Sequence, residues 1–138
     1  MSGFEAFLKQ NKKKNSEEEV LYPASESFVD EDGKPIMWKI RPITSKKAEK
    51  IRSECNSIVG NKAVTDNAKW NRMLAAECTV FPNLNDAELQ DSYGVMSAEE
   101  LITELLDNDG EYQSYIRKIT EVCGYAKTMK ELVDDVKN

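Results

Sequence analysis

The spacing of apolar residues separates a short N-terminal segment from the rest of the chain. Phe4, Phe7 and Leu8 fall three and four positions apart, which is the period of an amphipathic helix. Ser2 precedes them and can cap the first turn. A helix this short is marginal in isolation, so we expect its apolar face to dock on the rest of the chain or on a partner. Residues 12–19 follow as a polar connector, first basic and then acidic.

The next region has the two-residue period of a β-strand. Apolar side chains recur at every second position from Ile36 to Ile40. An Asp-Gly turn at residues 30–33 precedes them, and Phe28–Val29 lies on its other side, so the pattern predicts a β-hairpin. Val20–Tyr22 predicts a further strand. Because a lone hairpin is unstable in water, we expect helices to cover one face of this small antiparallel sheet.

From Thr44 to the end of the chain the apolar period is helical. The first stripe runs through Ile58 and stops at Gly60, and a linker over residues 59–66 separates it from the second. Three further helix starts are predicted where a capping residue lies three positions before a glutamate: Asn85, Ser97 and Thr128. The apolar stripe of the last helix consists of Met129, Leu132, Val133 and Val136.

These patterns predict an α+β fold that is mainly α. We expect a small N-terminal β-hairpin or sheet packed beside a bundle of about five short helices. One domain should span residues 1–138, made of a terminal helix with its connector (1–19), a β-hairpin region (20–43) and a helical region (44–138).

The residue types argue against catalysis and metal binding. The chain of 138 residues has no histidine, the commonest general base and metal ligand. Cys55, Cys78 and Cys123 are widely spaced and form no C-x-x-C pair, so we interpret them as buried free thiols. The strings at 30–33 and 107–110 resemble calcium loops but lack the first and twelfth ligands, and we interpret both as turns. We therefore expect no catalytic residue, metal or cofactor.

The net charge and its distribution along the chain limit the classes of partner that we expect. The net charge is −6, and residues 84–138 hold 13 Asp and Glu against 5 Lys and Arg. A negative field disfavours nucleic-acid binding, although an acidic surface could mimic DNA for a basic partner. Lys46, Lys47, Lys50 and Arg52 form a basic cluster that either binds an acidic segment or is a solvated helix face. No apolar run approaches the roughly 20 residues that span a bilayer, so no membrane role is expected.

Several segments together resemble one protein family. The stretch from Cys78 to Met96, CTVFPNLNDAELQDSYGVM, closely resembles a segment of the XkdN-like tail assembly chaperones of phages and prophages of Gram-positive bacteria. The opening FEAFLKQNKKK at residues 4–14 and the FVDEDGKP string at residues 28–35 are similar to that family as well. So is Glu99-Glu100-Leu101.

This resemblance implies a non-enzymatic role in building a long tail. Such chaperones bind the tape measure protein, keep its extended hydrophobic helices soluble, and leave as the tail tube polymerises around it. We therefore expect the tape measure protein as partner, with the tail tube protein and self-association as further candidates. The expected location is the host bacterial cytoplasm, and the chain should be absent from the mature virion.

A chaperone for an apolar helical client needs exposed apolar side chains. The candidate partner-binding residues are Phe4, Phe7 and Leu8 on the terminal helix, and Trp70 and Met73 beside the linker. The alternative is that all five belong to the core. We hypothesise that the terminal helix contacts the client or a second copy of the chaperone. Two other functions stay open: a minor structural tail protein, and an acidic regulatory protein that mimics DNA.

Overall fold

The structure is a computed structural model that describes residues 3–13 and 18–125. That part of the chain holds five α-helices and five short strands, which confirms the predicted α+β fold with mostly helices. The cap at Thr128 and the last predicted helix lie outside the described residues. In chain order the elements are β1 (Val20–Tyr22), β2 (Trp38–Ile40), α1 (Ser45–Cys55), β3 (Asn56–Val59), β4 (Lys62–Thr65), α2 (Asn67–Cys78), β5 (Thr79–Phe81), α3 (Ala87–Ser92), α4 (Ala98–Leu105) and α5 (Asp109–Val122).

The N-terminal segment does not form the predicted amphipathic α-helix. It consists of two 3-10 turns, Glu5–Phe7 and Lys9–Asn11, and Leu8 between them is extended with ψ of 144°. A segment of this length cannot offset the cost of starting an α-helix unless a face of it packs against something. Phe4 and Phe7 are exposed, so packing does not supply that stabilisation here.

A three-stranded antiparallel sheet in the order β1-β2-β5 forms the β part of the core. Trp38 and Ile40 are buried and Lys39 is exposed, which follows the predicted alternation. The strand predicted at β1 is confirmed, with Tyr22 opposite Trp38 and Val20 opposite Ile40. Burying large side chains from one face of β2 against the helices is what stabilises so small a sheet.

The hairpin predicted across the Asp-Gly turn is much shorter than expected. Gly33 adopts a positive φ of 78°, and the Ile36 N–H donates to the Phe28 carbonyl at 2.9 Å. Beyond the single bridge between Val29 and Pro35, however, β2 pairs with β1 and β5 instead. Pro35 has no N–H to donate, so the ladder cannot continue through it.

The first helix stops earlier than the sequence pattern indicated. The Thr44 side chain caps α1, which ends at Cys55, and Ile58 lies in β3 rather than on the helix. The predicted linker over residues 59–66 is in fact part of an antiparallel hairpin, β3–β4, with Asn56 opposite Thr65. Ile58 fits a helical stripe by its spacing, but β-branched residues on both sides of a turn favour strands.

The segment after α2 also departs from the prediction. Asp66 caps α2, which ends at Cys78, and the chain becomes extended at Thr79 to form β5, a strand that the sequence analysis does not predict. The cap of α3 is Asp86, one residue beyond the predicted Asn85. The predicted cap of α4 is confirmed, since the Ser97 side chain accepts a hydrogen bond from the Glu100 N–H.

One hydrophobic core joins the sheet to α2, α4 and α5. At its centre the Tyr115 ring packs edge-on against the Trp38 indole, with ring centroids 5.1 Å apart. The buried side chains around them come from both strands and helices: Ile40, Leu74, Ala75, Cys78, Leu84, Leu101, Ile102, Leu105, Leu106, Ile116 and Ile119.

Candidate functional site

Exposed apolar side chains are the feature of the described surface that matters most for binding a partner. Two groups of them are prominent. The first is the N-terminal pair, Phe4 and Phe7, whose exposed fractions are 76% and 88%. The second is the hairpin surface, which we define as Ile58, Val59 and Val64 on β3–β4, with exposed fractions of 78%, 65% and 43%. The strand register places Val59 and Val64 on one face of the hairpin and Ile58 on the other. Large apolar side chains left in water usually mark an interaction site.

The N-terminal pair lies on a segment held together by its own hydrogen bonds. The Phe7 N–H donates to the Phe4 carbonyl at 3.0 Å, and the Asn11 side-chain amide donates to the Glu5 carbonyl at 2.7 Å. Leu8, the third residue predicted here, is partly buried. The two phenyl rings therefore project from a locally ordered segment.

The hairpin surface is the part of the candidate site that the sequence analysis missed. Every residue of β3 and β4 is exposed, so neither strand contributes to the core. The hairpin is held at its base, where the Thr65 hydroxyl donates to the Asn56 side-chain oxygen at 2.8 Å and the Asp66 N–H donates to the Cys55 carbonyl at 2.9 Å. Gly60-Asn61 between two β-branched runs was a sequence signal for it.

Trp70 lies close to the base of the hairpin. It is partly buried, with the Arg52 guanidinium 5.4 Å from its ring centroid and the Tyr125 ring 6.4 Å away. A cavity of about 400 Å³ opens beside it, lined also by Asn56 and Thr65 of the hairpin. The Trp70 ring therefore offers apolar area that is continuous with the hairpin base.

Met73 lies one turn further along α2 in a separate cavity. This cavity measures about 320 Å³ and lies between α1, α2 and the start of α4, with Lys47, Lys50 and Glu54 in its lining. Met73 is partly buried there. Of the five predicted residues, Phe4 and Phe7 are exposed, whereas Leu8, Trp70 and Met73 are partly covered.

The cysteines show a contact that their sequence spacing could not reveal. Cys55 and Cys78 are buried free thiols as predicted, whereas Cys123 is only half-buried. The Cys78 and Cys123 sulfurs are 3.7 Å apart. A hydrogen bond from Cys78 lowers the pKa of Cys123 to about 7, and the same contact together with burial raises the pKa of Cys78. Among residues 3–13 and 18–125, no three His, Cys, Asp or Glu side chains are grouped to hold a metal ion.

None of the helices in the described part of the chain is long and apolar enough to cross a membrane.

Known proteins similar to this chain agree on one family. Residues 4–137 match the family described as phage XkdN-like tail assembly chaperone protein. Protein XkdN of the phage-like element PBSX of Bacillus subtilis (strain 168) is 26% identical over 126 residues, covering 88% of this chain and 85% of that protein. YqbN, an uncharacterized protein of the same strain, is 28% identical over 126 residues with the same 88% and 85% coverage.

The fold leads to the same group of proteins. The crystal structure of YqbN matches with a TM-score of 0.72 and 25% sequence identity, covering 86% of this chain and 93% of that chain. The family match over residues 4–137 confirms the resemblance seen in the Cys78–Met96 segment. The chain belongs to the phage XkdN-like tail assembly chaperone family.

Proposed function

We propose that this chaperone binds the tape measure protein and keeps it soluble until the tail tube polymerises around it. The observation that carries the proposal is the exposure of β-branched side chains on both faces of the hairpin, where Ile58 is 78% exposed on one face and Val59 65% on the other. These side chains are not buried in the core, so packing within the chain does not account for their apolar character. A client whose long apolar helices pack around the hairpin would cover both of its faces and remove these side chains from water.

The shape of this region suits a client that is held and later released. The hairpin stands on two hydrogen-bonded anchor points at its base, Asn56–Thr65 and Cys55–Asp66, and Trp70 lies beside that base. Three aliphatic side chains contribute roughly 1.5–3 kcal/mol each when fully buried. Contacts of that size, offset by the entropy of association, give binding that an assembling tube can outcompete.

The N-terminal segment supplies a second apolar contact. Phe4 and Phe7 are exposed at the two ends of one 3-10 turn, and aromatic side chains contribute strongly to interfaces because they bury a large rigid area. We infer that this segment contacts the client or a second copy of the chaperone. Met73, in its cavity between α1 and α2, is a peripheral contact in this proposal.

Co-expression with the neighbouring tape measure protein tests the proposed function. The wild-type chain should render the tape measure protein soluble and co-purify with it. The triple substitution Ile58→Thr, Val59→Thr, Val64→Thr should abolish both effects, because it makes the hairpin surface polar while retaining β-branched residues compatible with strands. Met96→Asn is the matched control, since Met96 is 91% exposed but lies away from the hairpin, between α3 and α4.

The outcomes separate the proposal from its alternatives. A tape measure protein that stays insoluble with the wild-type chain, or that dissolves equally well with the triple variant, would contradict it. Deleting residues 1–14 should weaken either client binding or self-association, and the inference for the N-terminal segment fails if both stay unchanged. Finding the chain in purified virions would instead indicate a minor structural tail protein.

A further inference from the structure

An apolar slot lies on the sheet side of the molecule, where no residue of the proposed client surface contributes. It is a cavity of about 170 Å³ between β2, β5 and α3. Its lining is almost entirely aliphatic and aromatic: Phe28, Ile36, Trp38, Phe81, Pro82, Leu89, Tyr93 and Leu105. An apolar cavity of about 150 Å³ is large enough to bind benzene, so this slot can accept one phenyl ring.

The two chain segments that contribute Phe28, Ile36 and Leu89 to the slot are acidic, and we call their acids the rim of the slot. The loop between Phe28 and Ile36 carries three acids and a single lysine, and α3 with its cap carries three more acids and no base. All of these acids are exposed: Asp30, Glu31, Asp32, Asp86, Glu88 and Asp91. An occupant that combines an aromatic ring with positive charge would therefore fit both the slot and its rim.

The N-terminal segment of the same sequence has that combination. Phe4 and Phe7 are exposed at the two ends of one 3-10 turn, and Lys9, Lys12 and Lys13 follow them. Glu5 is the one acid within residues 3–13. The segment thus presents phenyl rings followed by a basic run, and the slot presents an apolar cavity bordered by acids.

We propose that the N-terminal segment of one chain inserts a phenylalanine into the slot of a second copy, and that the exchange is reciprocal. Within one described chain neither Phe4 nor Phe7 lines the slot, and both rings are exposed. In a two-fold dimer, a phenyl ring of each chain fills the slot of the other, so the same contact is made twice. The second ring packs at the slot mouth against Phe81, which is 47% exposed.

The area of such an exchange is sufficient for a stable dimer. A buried phenylalanine removes about 150–250 Å² from water. Four rings and the surfaces they cover would bury roughly 1,200–2,000 Å² in total, the size of an ordinary specific interface. The lysines and rim acids add a contribution that weakens as salt is raised. This contact is distinct from the hairpin surface, so it does not depend on the proposed client.

Sedimentation velocity of the full chain without any client tests the dimer. The wild type should change from monomer to dimer as its concentration rises. The double substitution Phe4→Ala, Phe7→Ala should weaken the dimer by about 100-fold or more, since one or more rings are lost from each of two contacts. Met96→Ala, which removes an apolar side chain that is 91% exposed elsewhere, should leave the dimer unchanged.

A charge exchange identifies the slot as the receiving surface. Glu31→Lys with Glu88→Lys should weaken the dimer, and adding Lys12→Glu with Lys13→Glu to the same chain should restore it. All four side chains are exposed, so none of the substitutions disturbs the core. Restoration would show that the N-terminal segment and the slot rim meet.

Three results would overturn the proposal. The first is a wild type that stays monomeric at every concentration, and the second is a dimer that survives the loss of both phenylalanines. The third is a monomer in which Phe4→Ala, Phe7→Ala alters the NMR signals of slot residues, because the segment would then occupy its own slot. Since no client is present, each result is independent of whether the tape measure protein is bound elsewhere.

Discussion

A short chain of hydrogen bonds at the centre of the core connects β5 to α2 and α5. The Thr79 hydroxyl donates to the Ala75 carbonyl at 2.7 Å and lies 2.6 Å from the Tyr115 hydroxyl. Thr79 has one proton, so Tyr115 must be the donor in the second bond. Burial raises the pKa of Tyr115, which keeps that proton in place. The bond helps explain why the chain turns into β5 at Thr79.

Two substitutions should distinguish the contributions of Thr79 and Tyr115 to the free energy of unfolding. Thr79→Val leaves the Tyr115 hydroxyl buried without an acceptor and should lower the free energy of unfolding by about 1–3 kcal/mol. Tyr115→Phe leaves Thr79 bonded to Ala75 and should cost less, about 0.5–1.5 kcal/mol. Urea unfolding measures both, with Thr120→Val as a control for a threonine that bonds only along its own helix. Equal costs for the two changes would contradict the assigned donor.

Cys123, which contacts Cys78, should react with an alkylating reagent at lower pH than Cys55. Because the Cys78 hydrogen bond lowers the pKa of Cys123 to about 7, the thiolate of Cys123 should form as pH rises through about 7. Burial raises the pKa of Cys55, so its reaction should begin only at higher pH. Iodoacetamide labelling followed by mass spectrometry measures each rate. Cys78→Ala removes the donor and should move the Cys123 midpoint upward, and an unmoved midpoint would refute the assigned cause.

At the scale of elements, removing the β3–β4 hairpin should have little effect on the stability of the fold. Asn56 and Thr65 are directly paired, so an Asn-Gly turn in place of residues 57–64 can join them. Because every hairpin residue is exposed, the free energy of unfolding should change by less than about 1 kcal/mol. Ile51→Ala in α1 is the contrasting control, since removing this buried side chain should cost about 2–5 kcal/mol.

The shortened protein should also fail to keep the tape measure protein soluble. Thermal unfolding and co-expression of the same protein give the two readouts. A protein that unfolds readily would show that the hairpin supports the core, and one that still dissolves the client would remove the hairpin from the proposed site.

The sequence predicts correctly the elements whose ends or burial pattern depend on residues close by in the chain. Ser97 caps α4 because a capping side chain is favourable wherever a helix starts, and alternating burial in β2 follows from its two faces. The spacing of Ile58 also fits a helix, so the helical prediction for it is wrong, although Gly60-Asn61 between β-branched runs marks a turn between strands. β5 exists because β2 offers it an edge, and the sequence near Thr79 carries no sign of that edge.

The residues of the candidate site show the same difference: their apolar character is visible in the sequence, whereas their exposure depends on contacts with distant residues. The spacing of Phe4 and Phe7 indicated an apolar pair, and the structure leaves both exposed. Trp70 has the same apolar character in the sequence, yet contacts with Arg52 and Tyr125 cover part of it. For the hairpin surface, the spacing predicts Ile58 on a helix that ends at Gly60 and puts Val59 and Val64 in a linker, whereas Gly60-Asn61 is a turn between two strands.

At the scale of the whole molecule, the distribution of charge distinguishes a chaperone from a DNA mimic. Residues 84–138 hold 13 acids against 5 bases, which would also suit a protein that binds a basic partner. The hairpin surface, by contrast, has apolar side chains at its most exposed positions. Binding through apolar side chains depends less on salt than binding through acidic side chains. The salt dependence of one complex therefore distinguishes a chaperone from a DNA mimic.

Raising the salt concentration should leave the complex with the tape measure protein largely intact. Calorimetric titration with a soluble tape measure fragment should show a dissociation constant that changes by less than about tenfold between low and high salt, with a negative heat-capacity change from apolar burial. A DNA mimic bound through its acids would lose about 10³-fold or more over the same range. The Ile58→Thr, Val59→Thr, Val64→Thr variant should lose most of the heat-capacity change. A steep loss of affinity with salt would assign the binding to the acidic surface and refute the hairpin as the main contact.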